Sequence, residues 1–123
     1  MPEASGLRFR QLLEGKQELT IAVKGRRSGG SHSLPVWFVL EGDTLHLLPV
    51  SGSDTNWYRN ILKDPQMTLT TDGESLTVKA RPIREKGLVE KTIERFRARY
   101  GAGEISRWYT KLDVAVEIAL PES

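Results

Sequence analysis

Leu34-Pro35-Val36-Trp37-Phe38-Val39-Leu40-Glu41-Gly42-Asp43-Thr44-Leu45-His46-Leu47-Leu48-Pro49-Val50 holds two apolar, β-rich runs, residues 34–40 and 44–50, on either side of Glu41-Gly42-Asp43. Turn chemistry between two such runs predicts an antiparallel hairpin. The pattern returns downstream, where residues 66–71 and 75–83 flank Asp72-Gly73. In Met67-Thr68-Leu69-Thr70 and Leu76-Thr77-Val78-Lys79-Ala80 the apolar residues alternate, so one face of this second hairpin is the wetter one. A β-branched run at 19–23 and a closing run at 113–120 bring the expected strands to six. Hairpin-first order favours an antiparallel sheet over a doubly wound fold. Six strands around one small core predict a barrel or strongly curled sheet, because closure removes exposed edges.

Helices punctuate this order. Residues 7–13 predict a short helix with Ser5 as cap and Gly15 as stop, so that residues 1–16 form a short amino-terminal extension or helix. A second helix is expected over 54–63, capped by Asp54 or Thr55 and ended by Asp64-Pro65, with Trp57 and Ile61, joined by Tyr58 and Leu62, on its inner face. The longest is expected over 84–100, where Val89, Ile93, Phe96 and Tyr100 fall at helical spacing before Gly101. One or two helical turns are expected over 104–110.

The chain has 123 residues (13.8 kDa), 38% of them hydrophobic and 28% charged, which is enough for one domain with its own core over 1–123. It contains no cysteine, which excludes disulfides, thiolate metal sites and thiol catalysis. No apolar run approaches the ~20 residues of a membrane span. The start, Met-Pro-Glu-Ala-Ser-Gly, has neither the positive region nor the apolar stretch of an export signal, so a cytoplasmic protein is expected. Net charge is +2, and the basic residues are spread out rather than interleaved with aromatics, which counts against a nucleic-acid platform. His32 and His46 are the two histidines, with no carboxylate at ligand spacing, so no metal site is expected.

Four segments carry groups able to do chemistry. The turn Lys24-Gly25-Arg26-Arg27-Ser28-Gly29-Gly30-Ser31-His32 joins three glycines to three cations and a hydroxyl. Converging backbone amides and guanidinium groups suit a phosphate or carboxylate, while a solvated hairpin connection explains the same residues. The spacing is not that of a Walker loop, and a strand rather than a helix follows. Pro35-Val36-Trp37-Phe38 opens a strand at a sheet rim, where an indole either faces a planar ligand or packs in the core. Pro49 to Asn60 runs from a strand end through Ser51-Gly52-Ser53 into a helix start, a place where anions bind and small residues let a ligand approach. Asn60 lies one turn beyond Trp57 and shares its face, whereas Asp54 opposes an anion and is explained as a cap. Tyr100, Trp108 and Tyr109 surround Gly101-Ala102-Gly103, as a substrate mouth or as helix ends that seal the core.

Read in order, Gly25-Arg26-Arg27-Ser28-Gly29, Pro35-Val36-Trp37-Phe38, Glu41-Gly42-Asp43, Trp57-Tyr58-Arg59-Asn60 and Asp64-Pro65 resemble the deazaflavin-dependent nitroreductase family of split β-barrel flavin/deazaflavin oxidoreductases. The likeness covers about residues 19–83. It implies a six-stranded antiparallel split β-barrel with inserted helices, related to pyridoxamine-phosphate oxidase, holding an 8-hydroxy-5-deazaflavin coenzyme (F-420 type) at the barrel rim. By position it assigns Arg26, Arg27, Ser28 and Gly29 to the acidic tail of the cofactor. Pro35, Val36 and Trp37 then line the ring pocket, Ser51 and Gly52 lie near the ring, and Trp57 and Asn60 close over it. His32 stands where members carry an arginine and belongs with the tail-binding set, while Gly52 stands where they carry a lysine.

The implied activity is hydride transfer from reduced deazaflavin to a quinone, nitroaromatic or enone acceptor, with the cofactor supplying the chemistry. Ser51, Tyr100 and Tyr109 are the candidate catalytic donors to the charge that develops on the acceptor. The alternatives are a relative binding FMN, FAD or haem, and a non-catalytic cofactor carrier. A homodimer is the expected assembly, and the partner is a small-molecule electron acceptor.

Overall fold

Two strands bend, one at Phe38 and one at Ala80, and these bends set the architecture. In the computed structural model, which describes residues 5–27 and 29–121, each expected strand is present, but the two bent ones are each divided. The strands are β1 (Glu18–Lys24), β2 (Ser31–Trp37), β3 (Val39–Glu41), β4 (Thr44–Leu47), β5 (Gln66–Thr71), β6 (Glu74–Lys79), β7 (Arg81–Ile83) and β8 (Ala115–Ala119). They form two antiparallel four-stranded sheets, in the orders β2-β1-β5-β6 and β3-β4-β8-β7. The expected single six-stranded barrel is therefore corrected to eight strands in two sheets. The covalent links β2–β3 and β6–β7 carry the chain from one sheet to the other, while the hydrogen-bonded ladders stop at the bends.

At both bends the main-chain N–H finds a partner far along the chain, as buried donors must. At Phe38 the main-chain N–H donates to the Tyr100 hydroxyl (3.2 Å), whose single proton is shared between the Phe38 and Gln17 carbonyls, each 2.7 Å away. At Ala80 the N–H donates to the Pro65 carbonyl at 2.8 Å. The two hairpins form as read, with Gly42 (φ +60°) and Gly73 (φ +76°) taking left-handed turn positions.

Four helices complete the fold: α1 (Gly6–Leu13), α2 (Asn56–Lys63), α3 (Lys86–Tyr100) and α4 (Ala102–Trp108). Ser5 caps α1 by accepting from the Arg8 N–H, as expected. Phe9 and Leu13 of α1 are fully buried in the main core, each burial favouring the fold by about 1.5–3 kcal/mol. Glu85, rather than a residue with a shorter side chain, caps α3 through the Gly87 and Leu88 N–H groups, and those bonds hold its carboxyl below the usual range. The run expected at 44–50 stops as a strand at Leu47, and residues 52–54 form a short 3-10 turn before α2. Thr55 takes the cap position of α2, but its hydroxyl accepts from the Ser51 N–H (2.8 Å) instead of capping the helix.

The core has two parts. Between the sheets lie Ile21, Phe38, Leu45, Leu47, Met67, Leu69, Val116 and Ile118, sealed at one end by α1 and at another by Trp57, Tyr58 and Ile61 of α2. Outside the second sheet, α3 and α4 cover Val39, Leu48, Ile83 and Ala115 with Val89, Ile93, Phe96, Ile105 and Tyr109. Among the described residues, no helix is long and apolar enough to cross a membrane.

Candidate functional site

Strand alternation places Leu19, Ile21 and Val23 of β1 opposite Val36, Leu34 and His32 of β2, all on one face. Past the Phe38 bend the chain leaves for the other sheet, so β2 pairs only with β1. The gap beside β2 is closed by the 3-10 turn and the amino-terminal half of α2. A cleft of about 880 Å³ lies there, bordered by Arg26, Arg27, His32, Leu34, Ser51, Asp54, Thr55, Trp57, Arg59 and Asn60 among others.

The β1–β2 turn is fastened to α2 by Asn60. The buried Asn60 Oδ1 accepts from the Arg26 main-chain N–H (3.2 Å) and from its guanidinium (2.8 Å). The same guanidinium donates to the Asn56 carbonyl at 3.4 Å, and Lys63 Nζ donates to the Arg26 carbonyl at 3.0 Å. Within the turn, Gly25 N–H donates to Gly30 O (2.7 Å) and Gly29, at φ +73°, donates to Gly25 O (3.0 Å). Arg27 is exposed on the cleft wall. A second hollow of about 490 Å³ shares Gly25, Arg26 and Arg27 and adds Lys24, Gly29, Lys63 and Asp64. The turn therefore stands as a cationic ridge between two hollows.

The opposite wall is pinned by the segment before β8. Thr110 N–H donates to Val50 O (2.8 Å), and its hydroxyl lies 3.3 Å from Ser51 Oγ. Asp113 accepts from the Ser53 N–H (2.9 Å) and hydroxyl (2.5 Å). Burial works against the Asp113 carboxylate, yet these bonds outweigh it and lower its pKa. Asp54 pairs with Lys111 (3.2 Å) and Arg59 (3.1 Å), which hold its carboxyl below the ordinary range, Lys111 more strongly. Gly52 is required here twice over: φ is +56°, and a Cβ would meet Asp113 Oδ1 at 2.1 Å. A lysine at that position has no room.

Of the residues read as cofactor-binding, Arg26, Arg27, His32, Ser51, Trp57 and Asn60 meet at the main cleft, and Gly29 borders the second hollow. Gly52 is buried against residues 111–113 and does not line the cleft. Ser28 lies outside the described residues. Pro35 and Val36 continue β2 away from the cleft, Val36 packing on the main core. Trp37 stacks on Tyr100 (ring centroids 4.4 Å apart, planes at 10°) and leans on Tyr109 (6.2 Å), under α3 and α4. The tryptophan that borders the cleft is Trp57, almost wholly buried in the main core. Tyr100 and Tyr109 do not border the cleft; burial raises the pKa of both phenols, and Tyr109 rests among Trp37 and Phe96. Ser51 is thus the candidate donor that reaches the cleft.

Sequence reading passed over Leu34, Thr55, Asn56 and Arg59 as wall residues. The signal for Leu34 was present, since it lies two residues from His32 on the same strand face. Arg59 sits inside the quoted Trp57-Tyr58-Arg59-Asn60 motif, but which way it turns is fixed by Asp54.

The sequence matches, over residues 11–117, the family described as "Uncharacterized protein conserved in bacteria (DUF2255)". The chain belongs to that family. No curated protein matches it. Solved structures with a similar fold include the F420-H2-dependent reductase FDR-A (TM-score 0.64, 18% identity, 84% of this chain and 94% of that one). They also include the heme storage protein HutZ from Vibrio cholerae (TM-score 0.67, 16% identity, 95% of this chain and 89% of that one). A Listeria innocua protein named for pyridoxamine 5'-phosphate oxidase is a third (TM-score 0.66, 18% identity, 96% of this chain and 94% of that one). At these identities the likeness establishes the fold of this DUF2255 member, a split-barrel type with two antiparallel sheets, and nothing finer.

Proposed function

We propose that this chain is a reductase that binds an F-420-type deazaflavin in the cleft between β2 and α2 and serves hydride transfer to an electrophilic acceptor such as a quinone, nitroaromatic or enone. The observation that carries this reading is the meeting of Arg26, Arg27, Arg59 and His32 with Leu34 and the almost wholly buried Trp57 around one cleft. Guanidinium groups there suit the acidic handle of a cofactor, and Leu34 offers an apolar wall to the flat part. The bound coenzyme would supply the hydride from its ring carbon, the acceptor taking two electrons with it. Arg26, held by Asn60, is a positioned rather than a free cation, which reduces the ordering cost of binding. Ser51, half-buried at the cleft edge with its Oγ 3.3 Å from Thr110, is the hydroxyl able to donate to the acceptor oxygen.

FMN is the second reading, favoured by the compactness of the cation set around the main cleft, which suits a single phosphate. Titrating the purified chain with oxidised deazaflavin coenzyme and with FMN, followed by fluorescence, separates the two. Tight deazaflavin binding with acceptor-dependent reoxidation supports the enzyme, and tight binding without turnover on any acceptor supports a carrier. Binding of neither removes both cofactor readings. The reading also carries a cytoplasmic homodimer, which light scattering on the purified chain checks for mass.

A further inference from the structure

Asp54 is the one carboxylate among the described residues that border the main cleft, in a wall otherwise made of cations, amides, hydroxyls and apolar groups. Its two oxygens are divided between two cations: Oδ1 lies 3.1 Å from Arg59 Nη2, and Oδ2 lies 3.2 Å from Lys111 Nζ. A phosphate or carboxylate oxygen pair arriving in the cleft would seek Arg59, which borders it, and draw on Lys111, which does not border it but is held at Asp54. All three side chains are about half exposed, so exchanging one anion for another requires little desolvation. Lys111 has a second partner, Asp113, at 3.7 Å, which keeps it beside the turn when Asp54 lets go.

We propose that Asp54 is a built-in competitor for the ligand's acidic group: it occupies Arg59 and Lys111 in the free protein, cedes them on binding, and so limits how much negative charge the cleft accepts. This rests on the reading of the cleft as the anion-binding end of a cofactor site. It also gives the unfavourable placement of a carboxylate in an anion cleft a function that helix capping does not, since the cap position of α2 is held by Thr55.

The test is calorimetric titration with inorganic phosphate and pyrophosphate, using the whole chain and three variants, at low and high salt. Asp54→Asn should tighten pyrophosphate binding about three- to tenfold at low salt, two exposed pairs having been released. The gain should be smaller for phosphate, which carries less charge, and should shrink at about 0.5 M salt. Asp113→Asn loosens the same pinned segment and removes only the longer, 3.7 Å partner of Lys111 without bordering the cleft, so it should change affinity by no more than about twofold. Adding Lys111→Met to Asp54→Asn should cancel part of the gain. Unchanged or weaker binding by Asp54→Asn, or an equal gain from Asp113→Asn, overturns the competitor role while leaving the cleft as an anion site. Failure of every form to bind either anion overturns both this proposal and the reading of the cleft beneath it.

Discussion

Two regions of this molecule are built from the residue types a ligand site uses, and they put them to opposite ends. Around α2 and the β1–β2 turn, Lys24, Arg26, Arg27 and Lys63 gather with no carboxylate within ion-pair distance among the described residues, beside an open cleft. Around α3 and α4, Trp37, Phe96, Tyr100 and Tyr109 gather as densely, but ring against ring, over Val39 and Ala115. The first cluster spends donors on amide and main-chain oxygens but leaves its positive charge unneutralised, and the second consumes its rings internally. Aromatic residues near glycines are therefore weak pointers to a site, and cations without a carboxylate to pair with are stronger ones.

The contrast is open to breakage by mutation, beginning with the largest effect. Trp37→Ala removes an indole stacked on Tyr100, and should lower unfolding stability by about 2–4 kcal/mol, since large core aromatics cost about 3–5 and this one is half-buried. Urea melts check the loss, and cofactor affinity should stay within about twofold once the protein is folded. A large affinity loss without a stability loss would move Trp37 back to the site. Charge reversal at Arg26 and Arg27 together should do the opposite: affinity for the acidic ligand should fall about ten- to hundredfold at low salt and much less at high salt. Equal affinities for the wild type and the double variant would remove the turn from the site.

Tyr100→Phe comes next. Its hydroxyl serves the Phe38 N–H and the Phe38 and Gln17 carbonyls at the β2–β3 bend, so its loss should cost about 1–3 kcal/mol through an unsatisfied backbone. If hydride transfer to an acceptor fell sharply in this variant with stability intact, the phenol would be catalytic after all.

How much of this was legible from the sequence follows from the range of the interactions. Hairpin turns at Gly42 and Gly73, the Ser5 cap and the α3 stripe are local, and sequence patterns report local forces. The bends at Phe38 and Ala80 were not legible, because each depends on a partner far along the chain, Tyr100 for one and Pro65 for the other. The same holds at the site. The motif residues Arg26, Trp57 and Asn60 were readable as a set, whereas the direction of Trp37 was left undecided by alternation alone. Gly52 reads as a permissive loop residue, yet its need for glycine comes from Asp113 and Lys111, roughly half the chain away.

The smallest effect concerns His46, in the region that spends its groups internally. On the outer face of β4 it is buried against Val39 and beside Glu117 across the ladder, with Glu41 on β3 and Arg95 on α3 as the other charges nearby. Among the described residues, Nδ1 has no hydrogen-bond partner. Burial, then Arg95, lowers its pKa below the usual 6.5, the two glutamates opposing this only in part. The unfolded chain therefore takes up a proton at a higher pH than the folded one does. Stability contributed by neutral His46 is fully present above the unfolded value and is lost as pH falls through 6.5 toward the folded value. Urea melts at pH 7.5 and 5.5 should show this loss in the wild type, and a smaller one in His46→Leu, which cannot protonate. Parallel pH profiles for the two proteins would show that the buried imidazole is not what couples this face to acid, and would shift attention to the Glu41–Arg95 pair that links β3 to α3.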